Sequence, residues 1–255
     1  MATVIAFANQ KGGVAKTTST LNVGAAILEH GYRVLSVDMD PQANLTMCLG
    51  VDPETVEASM YDVLLGSREI GDVIAHGEID VAVGAIDLAG AELALSATIG
   101  RERALQRALR TVDDQYDFVL IDTPPSLGLL TINALTAAHA VIVPVQCEYL
   151  SLRGLAQLDR TLQMIRDNLN PEVEIRGILP TMLDSRTVHG HEAVEVLRDN
   201  FGPLVFNTVV RKTIRFAEAP VKGCSIIQYD PKGPGAEAYR SVAREVLNGR
   251  ARKHA

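Results

Sequence analysis

The chain has 255 residues, 47% of them apolar and 4% aromatic with no tryptophan, and a formal charge of −7. That length and apolar content fit one α/β domain with a full core, while the scarcity of rings excludes a large base-stacking platform for single-stranded nucleic acid. The acidic balance excludes a protein coated in positive charge but not a local basic face. Cys48, Cys147 and Cys224 are far apart and form no Cys-x-x-Cys pair, so they read as buried hydrophobes rather than disulfide or metal partners. The first strand follows the N-terminus without a signal peptide, and no apolar run spans a bilayer, so a cytoplasmic location is expected.

In chain order, strands are predicted over Thr3 to Ala8, Arg33 to Asp38, Ile79 to Val83, Phe118 to Asp122, Ala140 to Val145, Ile175 to Met182 and Val205 to Val210. Runs such as Phe118-Val119-Leu120-Ile121 are continuously apolar, as parallel strands buried on both faces require. Helical patterns lie between them, over Thr17 to His30 and Leu152 to Leu169. The longest runs from Leu88 to Val112, with Leu93, Leu105 and Leu109 on its apolar stripe. The stretch from Pro41 to Gly77 is rich in glycine and proline and should hold only short helices. The alternation predicts a doubly wound, mostly parallel sheet flanked by helices, one P-loop domain over residues 1–255, with a frayed basic tail at 248–255. Ligands of such sheets bind at the carboxyl ends of the strands.

Gln10-Lys11-Gly12-Gly13-Val14-Ala15-Lys16-Thr17-Thr18 sits between the first strand and the first helix. That setting lets backbone N–H groups wrap a phosphate chain. Lys16 suits β- and γ-phosphate oxygens, and Thr17 can offer a hydroxyl to Mg²⁺. The common phosphate-loop pattern has glycine where this chain has Gln10 and Ala15, so the loop is a variant with an additional lysine, Lys11. Asp38 and Asp40 follow at the end of the second strand. They either serve a phosphate-bound water or Mg²⁺, or cap the turn at Pro41; the residues alone leave both open. Asp122 ends the apolar fourth predicted strand, as does the acid that holds Mg²⁺ through water in nucleotide-hydrolysing loops. His139, His189 and His191 lack metal-ligand spacing.

With these residues together, the chain resembles the ParA/Soj family of deviant Walker A partitioning ATPases. Further matching stretches are Asp122-Thr123-Pro124-Pro125-Ser126, Pro144 to Tyr149, Thr181 to Thr187, Glu218-Ala219-Pro220 and Tyr229 to Lys232. The resemblance implies ATP and Mg²⁺ as ligands, with Gly12, Gly13, Val14, Ala15, Lys16, Thr17 and Thr18 around the phosphates. It implies that Lys11 reaches the partner's phosphates in an ATP-sandwiched homodimer, that Gly12 lies where two subunits meet, and that Thr18 contacts the α-phosphate. Lys11, Lys16 and Asp40 would be catalytic, Asp40 positioning the hydrolytic water. Thr17 would ligate Mg²⁺, with Asp122 and Asp40 acting through water. Arg211 and Thr213 would contact adenine.

The resemblance further implies nonspecific double-stranded DNA binding by Arg186, Lys212 and Arg215. Release would follow hydrolysis stimulated by a ParB-type protein, in a nucleoid-associated protein whose ATPase is weak alone. An alternative is a MinD-like spatial regulator acting on membrane or another cargo. It needs an amphipathic C-terminal helix, and Asn248 to Ala255 has no large apolar residue, so no membrane partner is expected. Because alanine resists positive φ, Ala15 is expected in a right-handed conformation, with ATP binding retained.

Overall fold

The structure, a computed structural model, describes residues 1–147, 152–185 and 188–251. Its strands are β1 (Thr3–Phe7), β2 (Val34–Asp38), β3 (Ile74–Ala75), β4 (Asp80–Ala82), β5 (Phe118–Asp122), β6 (Ala140–Gln146) and β7 (Glu174–Thr181). They form one sheet in the order β3-β4-β2-β5-β1-β6-β7. All pairs are parallel except β3 with β4. The helices are α1 (Lys16–Leu28), α2 (Asn44–Cys48), α3 (Met60–Leu65), α4 (Ala91–Ala94), α5 (Ala104–Leu109), α6 (Leu129–Ala137), α7 (Leu152–Asn168), α8 (Val188–Phe201), α9 (Arg215–Val221), α10 (Ile226–Tyr229) and α11 (Pro234–Ala251).

The β1–α1–β2 connection moves one way across the sheet and β5–α6–β6 the other. Right-handed crossovers therefore place α1 and α6 on opposite faces. Between these layers Phe7, Leu35, Ile121 and Ile142 are fully buried, which is why their strands carry almost no polar residue. The register pairs Phe7 with Asp122 and Asp38 with Asp122. Three strands thus end at one level, with two carboxylates side by side.

Three predicted elements differ. Val205 to Val210 is not a strand; it meets β7 at an isolated bridge of Val205 with Ile178 and through the Phe206 and Val210 N–H groups, which donate to the Ile178 and Pro180 carbonyls, both at 2.9 Å. The Glu245 carboxylate takes the N–H groups of Asn207 and Thr208, both at 2.9 Å, so those donors are lost to a ladder. The long helix over Leu88 to Val112 is broken into 3₁₀ turns at Ile86–Gly90 and Arg101–Arg103 and the short α4 and α5. Gly100 stands at φ +70°, and the Asn133 side chain takes the Leu105 N–H and donates to the Arg101 carbonyl. Leu105 and Leu109 are buried as the stripe predicts, but Leu93 is 82% exposed. The antiparallel β3, two residues long, has no counterpart in the prediction. Finally, α11 continues through Ala251, into the segment expected to fray, and 252–255 lie outside the described residues.

Candidate active site: a phosphate cleft at the strand ends

Asn9, just past β1, fixes where the glycine-rich loop begins. Its buried amide donates to the Pro144 carbonyl at 2.7 Å, and its side-chain oxygen accepts the Lys11 N–H at 3.0 Å. The far end is fixed at Val14, which is fully buried and whose carbonyl accepts the Thr181 hydroxyl at 3.0 Å. Between these anchors the chain must turn sharply into α1. Gly13 does so at φ +69° and Ala15 at φ +66°.

Ala15 is therefore left-handed, contrary to the right-handed expectation. It is the residue before the first helical turn, and its carbonyl already accepts the Ser19 N–H at 2.9 Å. A left-handed alanine costs roughly 1–2 kcal/mol. The burial of Val14 and the Thr181 bond hold the loop in place against that cost.

Lys16 opens α1 and is 7% exposed. Burial lowers the pKa of its ammonium, while Asp122 and Asp40 act against that shift. Thr17 donates its hydroxyl to Asp122 Oδ2 at 2.6 Å. The other oxygen, Asp122 Oδ1, is buried with no hydrogen-bond partner. Burial and then the neighbouring Asp38 push the Asp122 carboxyl well above the usual carboxylate range. An orphaned carboxylate oxygen beside a threonine hydroxyl is a hard oxygen set of the kind Mg²⁺ takes through water. Among the described residues no cluster of three His, Cys, Asp or Glu could hold a metal by itself. Such an ion would have to take further ligands from phosphate oxygens and water.

The two aspartates at the end of β2 have different surroundings. Asp38 is fully buried, with Oδ2 accepting the Thr46 N–H (2.9 Å) and hydroxyl (2.8 Å) and Oδ1 accepting the Asp40 N–H (3.2 Å). A Cβ at Gly84 would lie 2.9 Å from Asp38 Cγ, so only glycine fits against it. Burial raises its carboxyl to about 6. The capping alternative thus describes Asp38 fully, and Asp40 caps the turn at Pro41 as well. Asp40 accepts the Gln42 N–H at 3.0 Å and faces the cleft.

The cleft is a cavity of about 550 Å³. Gly12, Gly13, Ala15, Lys16, Thr17, Thr18 and Asp40 line one end. Arg211, Lys212 and Thr213 line the other, with Met182, Val210, Phe216 and Tyr239 forming an apolar wall. Phe216 and Tyr239 meet edge to face at 5.6 Å, and Tyr239 hydrogen-bonds Ser19 at 3.1 Å. These two rings escape sequence reasoning, because they leave from α9 and α11, far along the chain from the loop. Lys11 is not part of this wall; its Nζ donates to Gln146 Oε1 at 3.1 Å, at the end of β6. A Cβ on Gly12 would meet only Pro125, at an ordinary 3.6 Å, and its φ is not left-handed.

A larger hollow of about 750 Å³ lies beside β7, lined by Arg176, Arg198 and Glu245 among others. Its polar groups are spent internally, Arg176 on the Val246 carbonyl and Glu245 on Asn207 and Thr208, so the chemistry belongs to the smaller cleft. Of the residues expected at DNA, Lys212 and Arg215 are exposed and adjacent to the cleft mouth, and Arg186 lies outside the described residues.

The model of a family described as an AAA domain matches residues 2–175. The chain is also 47% identical to the sporulation initiation inhibitor protein Soj of Bacillus subtilis, over 96% of this chain and 98% of that protein. The chain belongs to the ParA/Soj family of partitioning ATPases. Within that family it is 42% identical to the chromosome partitioning protein ParA of Myxococcus xanthus, over 96% of this chain and 87% of that one. Among solved structures, one named cobyrinic acid a,c-diamide synthase from Mycobacterium smegmatis, with bound ATP analogue and magnesium, superposes with a TM-score of 0.87. It is 43% identical and covers 97% of this chain and 95% of its own. The septum site-determining protein MinD from Pyrococcus horikoshii, complexed with Mg-ADP, superposes at 0.79 with 27% identity, covering 96% of each chain. The P-loop ATPase fold of the ParA/Soj family is thus the fold of this chain.

Proposed function

We propose that this ParA-type ATPase binds MgATP in the described cleft and reports the bound nucleotide through a homodimer that holds nonspecific double-stranded DNA. The observation that carries the reading is the division of labour between the two lysines. Lys16 lines the phosphate end of its own cleft, whereas Lys11 stands outside it on the rim. With Gly12 beside it bearing no Cβ, and among the described residues no contact that forbids one, this rim would leave room for a second subunit. Lys11 would supply its charge to the partner's phosphates.

Lys16 and the loop N–H groups would neutralise the β- and γ-phosphates. Bound Mg²⁺, held by Thr17 directly and by Asp122 and Asp40 through water, would add charge stabilisation on the phosphate oxygens. Asp40 would hold the attacking water by accepting one of its protons in a hydrogen bond. Arg211 and Thr213 would contact adenine beside Phe216. Turnover is slow while Lys11 of a second subunit is missing, and a ParB-type partner accelerates it. Pairing two copies of Arg186, Lys212 and Arg215 doubles the phosphates neutralised, so DNA affinity follows dimerisation. Nucleoid association is the cellular consequence. The same 255 residues form one ATPase domain in this reading.

The experiment is duplex-DNA binding in ATP, ADP and a non-hydrolysable analogue, alongside co-sedimentation with anionic liposomes. Binding to DNA only with ATP or the analogue is expected. ATP-dependent capture by liposomes in place of DNA would favour the MinD-like reading; among the described residues no helix is long and apolar enough to cross a membrane. Nucleotide turnover indifferent to DNA in every condition would point instead to a small-molecule substrate.

A further inference from the structure

Arg215, proposed above as a DNA contact, already holds an anion. Its Nη1 donates to Glu218 Oε2 at 2.8 Å, one helical turn along α9. The Tyr229 hydroxyl donates to the same oxygen at 3.0 Å. We propose that Glu218 is a positioning residue for DNA binding: it stands in for a phosphate on Arg215, and duplex DNA must displace it. This rests on the reading of Arg215 as a DNA contact.

The anion is better anchored than the cation. Tyr229 belongs to α10, whose Ile226 N–H donates to Asn22 of α1 at 2.7 Å and whose capping Ser225 N–H donates to Glu78 at 2.8 Å. Tyr229 therefore ties Glu218 to the body of the fold, whereas the Arg215 side chain is 53% exposed. The hydrogen bond from Arg215, reinforced by Tyr229, holds the Glu218 carboxyl below its ordinary range, so it stays charged at neutral pH. Lys222 follows at the end of α9, seven residues from Arg215, which puts Glu218 between two cations on one helix face. A phosphate approaching that face meets two attractive groups and one repulsive group between them.

The consequence is weaker binding with a shallower salt response. An arginine that leaves a carboxylate for a phosphate releases no net counterion, because the carboxylate it leaves takes up a cation. The nucleotide has access to the same turn, since Phe216 and Ala217 line the cleft and the Thr213 hydroxyl accepts the Arg215 N–H at 3.3 Å.

The test is salt-titrated binding of mixed-sequence duplex DNA, with the non-hydrolysable ATP analogue, by wild type, Glu218→Gln and Glu195→Gln. The last makes the same charge change at another exposed arginine pair, with Arg198 on α8. Glu218→Gln is expected to bind about four- to twenty-five-fold tighter, the range of one exposed ion pair in each of two subunits. Its log–log salt slope should steepen by about two, for one further phosphate contact from each subunit of the dimer. Glu195→Gln should match wild type in both. Unchanged or weaker binding by Glu218→Gln, or an equal gain in Glu195→Gln, overturns the proposal. DNA binding by none of the three would overturn the DNA reading itself, and this inference with it.

Discussion

At the phosphate end of the cleft, the functional residues leave from the loop after β1, the turn after β2, the last residue of β5 or the first turn of α1. Lys16, Asp40 and Asp122 are buried and Thr17 is half-buried, and Asp122 Oδ1 has no hydrogen-bond partner. At the other end, Arg211, Lys212 and Thr213 leave from an irregular segment beside β7 and Arg215 from the start of α9, and they are largely exposed. The first end is set by strand register, which fixes atoms to within a fraction of an ångström. The second is set by side chains from α9, α10 and α11. A rigid end suits chemistry on phosphates, and a looser end suits sensing of base and DNA.

The largest effect should come from the rigid end. Lys16→Ala is expected to lower ATP turnover by about 10²–10³-fold, the scale for losing a preorganised charge at a developing anion. Steady-state phosphate release measures it, and a drop of less than tenfold would break the distinction between the two ends. Asp40→Ala should reduce hydrolysis about 10²-fold while ATP affinity is kept, as for a lost water-positioning base. At the looser end, Arg215→Glu should abolish DNA binding and leave ATP-driven dimerisation intact, and loss of both would make that end structural.

A smaller effect separates Asp38 from its neighbours. Its carboxyl is raised to about 6, above an ordinary carboxylate, so the folded chain holds this proton more tightly than the unfolded one. The stability it contributes is full below about pH 4 and falls as pH rises through about 6, by up to about 3 kcal/mol. Asp122 is shifted in the same direction. Chemical denaturation between pH 4 and 6 should show a flatter pH dependence for Asp38→Asn than for wild type. Smallest is Ala15→Gly, which removes the left-handed alanine and should stabilise by about 0.5–1 kcal/mol after the entropy of glycine is counted. A lower melting temperature for that variant would show that the loop is not strained at this position.

The same contrast explains what the sequence makes legible. Lys16, Thr17, Asp40 and Asp122 are readable because each sits at a strand end or helix start, where local pattern and position coincide. Asp38 is not separable from Asp40 by pattern, since its partners Thr46 and Gly84 are remote in sequence and only packing brings them together. Val205 to Val210 has the composition of a strand, but Glu245 captures the N–H groups of Asn207 and Thr208 in its middle. The conformation of Ala15 is fixed by anchors at Asn9 and Thr181, and no propensity for alanine anticipates it. Phe216 and Tyr239 reach the cleft from distant helices that carry no nucleotide motif.

In the proposed function, Lys11 lets nucleotide state be read as oligomeric state. The most direct measurement is molar mass by light scattering with ATP, for Asp40→Ala and for Asp40→Ala combined with Lys11→Ala, with ATP binding followed in parallel. A dimer in the first and an ATP-bound monomer in the second is predicted. An equally stable dimer without Lys11 would show that this lysine does not join the two subunits.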